Sequence, residues 1–214
     1  MERYVLDTDK DTFEEVFGVV TSSDSILEPT FNAAPGHSIP ILISKSGVLT
    51  LESAIWGFEK NQEKLAQIEI DEVLKSPYKE RLKTHACIIP VSGFYKWKQN
   101  VDDPLPFFIR IHSQDILGIA GLMVEKDGRN AVIPITTEAN VLIQPLDDNM
   151  PCILNPMNFR PWLTGKAEII LEAGFMDTSL LPEMTVFRVS DEVNDLSKNS
   201  KELMQPIPKL RNED

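Results

Sequence analysis

The sequence predicts an α+β fold: one compact domain with strands through its middle and helices at its flanks. Three observations carry that expectation. From Ala86 onward, short β-rich runs at 87–90, 93–98, 107–112, 116–123 and 131–136 follow one another, separated by polar turns. Helical spacing of apolar residues is confined to segments outside that stretch. Strands nowhere alternate with helices at βαβ length, which argues against a doubly wound sheet.

Taken in order, residues 11–17 set Phe13, Val16 and Phe17 at helical spacing behind early acidic residues, and Gly18 can end the turn. Residues 30–40 read as a loop punctuated by Pro35, Gly36 and Pro40. Residues 39–43 and 48–51 read as short strands around a turn at 44–47. Ser76 as cap and Pro77 at the first helical position open a helix over 78–83. Beyond the strand-rich middle, 140–146 and 160–163 read as short helices and 186–189 as a late strand. No repeat or low-complexity linker divides the 214 residues, a length that suits one domain with a full core. Residues 1–207 are expected to form it, with 208–214 a frayed tail.

The formal charge of −12, from 33 acidic and 21 basic side chains, counts against tight nonspecific binding of nucleic acid. The one basic cluster, Lys75, Lys79, Arg81 and Lys83 with His85, is better read as a solvated helix face, with Arg81 kept as a phosphate-binding candidate. Cys87 and Cys152 are too few for a disulfide framework, and no CxxC or Cys/His cluster suggests a metal. His37, His85 and His112 are scattered, and neither metal nor other cofactor is expected. No apolar run reaches the roughly 18 residues of a membrane span. Met1-Glu2-Arg3-Tyr4 lacks the layout of a secretion signal, so a cytoplasmic protein is expected.

Two segments are the most specific. One is Cys87-Ile88-Ile89-Pro90-Val91-Ser92-Gly93-Phe94-Tyr95-Lys96-Trp97. The other is Ile135-Thr136-Thr137-Glu138-Ala139-Asn140, running on to Asp147-Asp148-Asn149-Met150-Pro151. Around them lie Phe31-Asn32-Ala33-Ala34-Pro35, Ile55-Trp56-Gly57-Phe58, Pro106-Phe107-Phe108-Ile109, Ala120-Gly121-Leu122 and a closing stretch from Val189-Ser190 to Pro206. In this order they resemble the SRAP family, the SOS response-associated peptidase-like proteins. The resemblance implies a single compact domain on a curved, barrel-like, mostly antiparallel β-sheet with flanking helices. It also implies a DNA-damage role: sensing abasic sites in single-stranded DNA by a covalent DNA–protein crosslink, alongside autopeptidase-like and lyase activity.

The chemistry that the resemblance implies is altered. Family members expose a cysteine after loss of the initiator Met, in a Met-Cys-Gly-Arg-Tyr start, and its amine and thiol join the sugar aldehyde. Here Met1-Glu2-Arg3-Tyr4 keeps Arg and Tyr, but Glu2 cannot form the stable adduct of a thiolate. The acid of the family's Gly-Phe-Tyr-Glu-Trp is replaced by Lys96, and the His of its His-Asp-x-Met-Pro by Asp147. An Asn-Ala-Arg segment of the family falls near Gln67-Ile68-Glu69. Cys87 and Cys152 are expected to be buried and inert.

Lys96 and Asp147 keep a plus-with-minus pair in reversed polarity, and are expected to face each other as an ion pair with Glu2 nearby. The alternative is that both face solvent, where a pair contributes about 0–1 kcal/mol. Trp56 is either a stacking platform for an unpaired base or a core residue beside Pro35. Arg3 is a candidate phosphate ligand, and Asn32 completes the nucleic-acid-binding candidates. Two functions of different class stand. One is a non-crosslinking binding or scaffold protein, with single-stranded DNA a partner weakened by the negative charge. The other is an abasic-site enzyme forming a Schiff base through the Met1 amine or Lys96.

Overall fold

The chain opens on β1 (Arg3–Leu6) and α1 (Lys10–Phe17). It then runs β2 (Thr30–Ala33), β3 (Ser38–Lys45), β4 (Val48–Trp56), β5 (Phe58–Lys60), β6 (Glu63–Leu65), β7 (Ile68–Glu69), α2 (Ile70–Val73) and α3 (Tyr78–His85). The second half holds β8 (Ala86–Val91), β9 (Gly93–Lys98), β10 (Leu105–Ile111), β11 (Leu117–Lys126), β12 (Arg129–Glu138), β13 (Asn149–Pro151) and β14 (Ile153–Leu154). There follow α4 (Phe159–Pro161), α5 (Ala167–Glu172) and β15 (Met184–Arg188), then 3-10 turns at Asp191–Asn194 and Lys201–Met204. The computed structural model of the protein describes residues 3–21, 27–60, 63–98, 103–126, 128–173 and 178–208.

Five strands close a ring. β4 pairs with β3, β3 with β8, β8 with β11, β11 with β12, and β12 returns to β4. Closure removes the open edges that a flat sheet would expose. It also explains why β8 is buried at all six positions and reads Ala-Cys-Ile-Ile-Pro-Val without alternation. The β12 contacts to β4 and β7 are parallel and the other strand pairs antiparallel, so the barrel-like α+β expectation holds. A second sheet, in the order β15-β10-β9-β1-β2, carries one face on the main core. Its other face holds a smaller cluster of Val5, Phe31, Tyr95, Trp97 and Phe108 under Val189, Val193 and Leu203.

Local signals explain much of this. Asp9 caps α1 by accepting from the Thr12 amide at 2.9 Å, and Gly18 ends it at φ 63°. Ser46 and Gly47, both at positive φ, turn β3 into β4. Three expectations are corrected. Residues 30–40 are not a loop throughout: Thr30–Ala33 is an edge strand on β1, and Pro40 lies inside β3. Pro77, not Ser76, occupies the cap position of α3, and no side chain caps it. Residues 141–146 form turns rather than a helix, because the Asn140 side chain accepts from the Leu142 and Ile143 amides. The expected tail falls almost wholly outside the described residues.

Candidate functional site

Strand β9 sets the site. By the two-residue period, Phe94 and Lys96 turn to the main core while Tyr95 and Trp97 turn to the smaller cluster. Lys96 is thereby carried inside and is 0% exposed. A buried ammonium needs a partner. The turn before β13 supplies it: Lys96 Nζ donates to Asp147 Oδ2 at 2.5 Å, across 51 residues of sequence. The expected ion pair is present.

Asp147 is itself held in place. Its Oδ1 accepts from the Asn149 amide at 2.8 Å, and its own amide donates to the Ile143 carbonyl at 3.1 Å. Its side chain keeps 24% of its surface. Burial pushes the carboxyl up, but the Lys96 and Asn149 hydrogen bonds and the Lys96 charge outweigh it, and it titrates below the usual carboxylate range. Asn149 extends the network by donating from Nδ2 to Glu69 Oε1 at 3.1 Å. Sequence reasoning did not select Asn149 or Glu69 as site residues. The signal was there for Asn149, since an Asp two residues before an amide is the spacing of an Asx turn.

Other sequence candidates are dispersed. Arg3 lies opposite Tyr95, so its side chain shares the Tyr95–Trp97 face and not that of Lys96. Its guanidinium carbon sits 5.2 Å from the centre of the Trp97 ring. Asn32 is buried and donates from Nδ2 to the carbonyls of Val193, Asp195 and Lys198 at 3.0, 3.1 and 3.2 Å, which occupies the amide that a nucleic acid would need. Trp56 is 0% exposed and donates to the Ala66 carbonyl at 2.7 Å, so its ring offers no open face to a base. Trp56→Phe should therefore cost about 1–3 kcal/mol by orphaning that carbonyl, measured as a lower urea midpoint. An unchanged midpoint would show that the bond contributes nothing.

Arg81 is exposed on α3, and no described contact joins it to Lys96 or Asp147. Nearby basic side chains meet carboxylates: Lys79 on α3 pairs with Glu168 at 3.0 Å and Glu172 at 3.3 Å, and Lys75, ahead of α3, with Glu72 at 3.4 Å. Cys87 and Cys152 are buried, and burial pushes both thiols far above their ordinary value. Met1 and Glu2 lie outside the described residues. Among the described residues no group of His, Cys, Asp and Glu is arranged to hold a metal, and no helix is long and apolar enough to cross a membrane.

The fold and site together define a small barrel-based α+β domain whose central titratable pair is a buried lysine salt-bridged to an aspartate. The sequence model of the SRAP family, "SOS response associated peptidase (SRAP)", matches residues 2–196, and the chain belongs to that family. It is 28% identical over 195 residues to the abasic site processing protein YoqW of Bacillus subtilis, spanning 83% of this chain and 86% of that one. It is 29% identical over 196 residues to the abasic site processing protein YoaM of the same organism, spanning 83% and 85%. A crystal structure of a Bacteroides thetaiotaomicron protein superimposes with a TM-score of 0.80 at 19% identity, covering 97% of this chain and 100% of that one. That likeness establishes the fold.

Proposed function

We propose that this SRAP protein engages abasic-site DNA, in single-stranded form, without forming a crosslink, and serves as a cytoplasmic binding or scaffold protein in the DNA-damage response. The observation that carries the reading is the sealed Lys96. A Schiff base needs an unprotonated amine that can touch the aldehyde carbon, whereas this one is 0% exposed and donates to a carboxylate 2.5 Å away. Both cysteines are buried with raised thiol pKa values, which removes the two thiols as nucleophiles. The relatives named for abasic-site processing support DNA as the ligand class. Asp147 stands where the resemblance places a His, and no Asn-x-Arg occurs near Gln67-Ile68-Glu69, where it places an Asn-Ala-Arg segment; both support loss of the chemistry and weaker hold on phosphate.

Incubating the protein with single-stranded DNA bearing one abasic site, with and without borohydride, tests this on a denaturing gel beside a native binding assay. The expected result is no shifted band on the denaturing gel in either lane, with salt-sensitive binding on the native one. A stable band without reductant overturns the proposal. A band only with borohydride replaces it with amine catalysis through Met1 or Lys96.

A further inference from the structure

The stretch after β15 does more than end the chain. It returns across the outer face of the second sheet, and four separate contacts tie it there. Asn32 Nδ2 reaches three of its carbonyls, those of Val193, Asp195 and Lys198. The Phe31 amide donates to Asn199 Oδ1 at 2.6 Å, so strand and strap each read the other through an asparagine. Trp97 Nε1 donates to Asn194 Oδ1 at 2.8 Å, and Lys201 pairs with Asp7 at 2.9 Å. Val193 and Leu203 are inserted to 0% and 1% exposure over Tyr95, Trp97 and Phe108. The far end is closed by the Val189–Pro206 bridge and the Ile207 amide on the Arg188 carbonyl at 3.2 Å.

These ties fall on β2, on the following loop of β1 and on the back of β9. The strands themselves are weakly bound to one another. β1 and β2 have four residues each, and their pairing shifts register between Tyr4 and Leu6. β2 is the edge of the sheet, and one of its amides is satisfied by the strap rather than by another strand. β1 lies between that edge and the strand that carries Lys96.

We propose that residues 189–207 act as a strap that holds β1 and β2 in place, with Asn32 as its clamp, and that this strap keeps the Lys96–Asp147 pair closed to solvent from the opposite face of the sheet. Asn32 is thus a positioning residue. Three carbonyl oxygens converge on its amide nitrogen, and its own Oδ1 is buried without a partner. Only a donor suits that position. An aspartate of the same shape would point an anion at three carbonyl dipoles and release the strap.

Asn32→Asp tests this, with Asn199→Ala as a milder variant that loses only the bond to the Phe31 amide. Hydrogen exchange would be read by mass spectrometry together with the rate of reductive methylation at Lys96. In Asn32→Asp, amides of 193–205 and of β1 should exchange at least tenfold faster, and Lys96, protected in the parent, should become reactive. Asn199→Ala should shift both readings in the same direction by less. Should Asn32→Asp fail to melt cooperatively, Asn199→Ala alone carries the comparison. Unchanged exchange in 193–205 overturns the proposal. So does faster exchange confined to the strap while β1 and Lys96 stay protected, because the strap would then be a local flap.

Discussion

Replacing Asp147 with alanine should lower the unfolding free energy by about 3 kcal/mol, the low end for breaking a buried ion pair. The melting temperature should then fall by roughly 6–12 °C at this chain length. The effect comes from what is left behind. Lys96 is wholly buried and donates to Asp147 alone among the described residues, so the variant strands a cation in the core. Lys96→Met should cost about 1 kcal/mol or less, because the apolar chain fills the same space. Asp147 would retain the Asn149 amide and its exposed edge. Equal losses in denaturant unfolding would refute the asymmetry, and with it the placement of Lys96. Acid should act through the same pair. The folded carboxyl titrates below its unfolded value of about 3.9, so the stabilisation is complete above that pH and is lost as pH falls through the folded value. Asp147→Asn should flatten that part of the stability–pH curve.

Gly93→Ala should be comparably harmful, at about 3 kcal/mol, the upper end for overpacking. A Cβ there would stand 2.4 Å from the Phe108 ring and 2.8 Å from the Ile109 carbonyl oxygen. The ring can rotate but the carbonyl belongs to β10, which pairs with β9 through Phe94 and Ile109. Relief therefore requires β9 to move, and β9 carries Lys96. The variant should lose stability and also expose Lys96 to amine reagents. A midpoint within 0.5 kcal/mol of the parent would mean that the two strands separate more easily than their register suggests.

Much of the fold could be read locally. Gly18 and the Phe13–Phe17 spacing announce α1 because a helix end and an amphipathic face are properties of adjacent residues. The run 93–98 matches β9 for the same reason. The failures share a cause. At 140–146 the pattern suggested a helix, yet a single side chain, Asn140, satisfied the backbone differently. At 30–40 proline and glycine suggested a loop, while pairing with β1 and β4 made strands of much of it.

The candidate site divides in the same way. The family resemblance placed Lys96 and Asp147 together, although no local rule joins residues 51 apart. It did not place Asn149 and Glu69, which join only when β13 and β7 lie on either side of β12.

By itself, the sequence determined the fold class, the family resemblance and which residue types occupy the central positions, because each is written in composition, order and short-range spacing. Tertiary structure decided which way those residues face. Arg3 turned to Trp97 and away from Lys96 because strand register assigns alternate side chains to opposite faces. Asn32 became a clamp because the distant stretch 193–198 closed over it, and Trp56 a core residue because β4 pairs with β12 where the ring closes. Burial and partnership arise from the packing of remote elements, so they became definite only when the ring and the strap had closed.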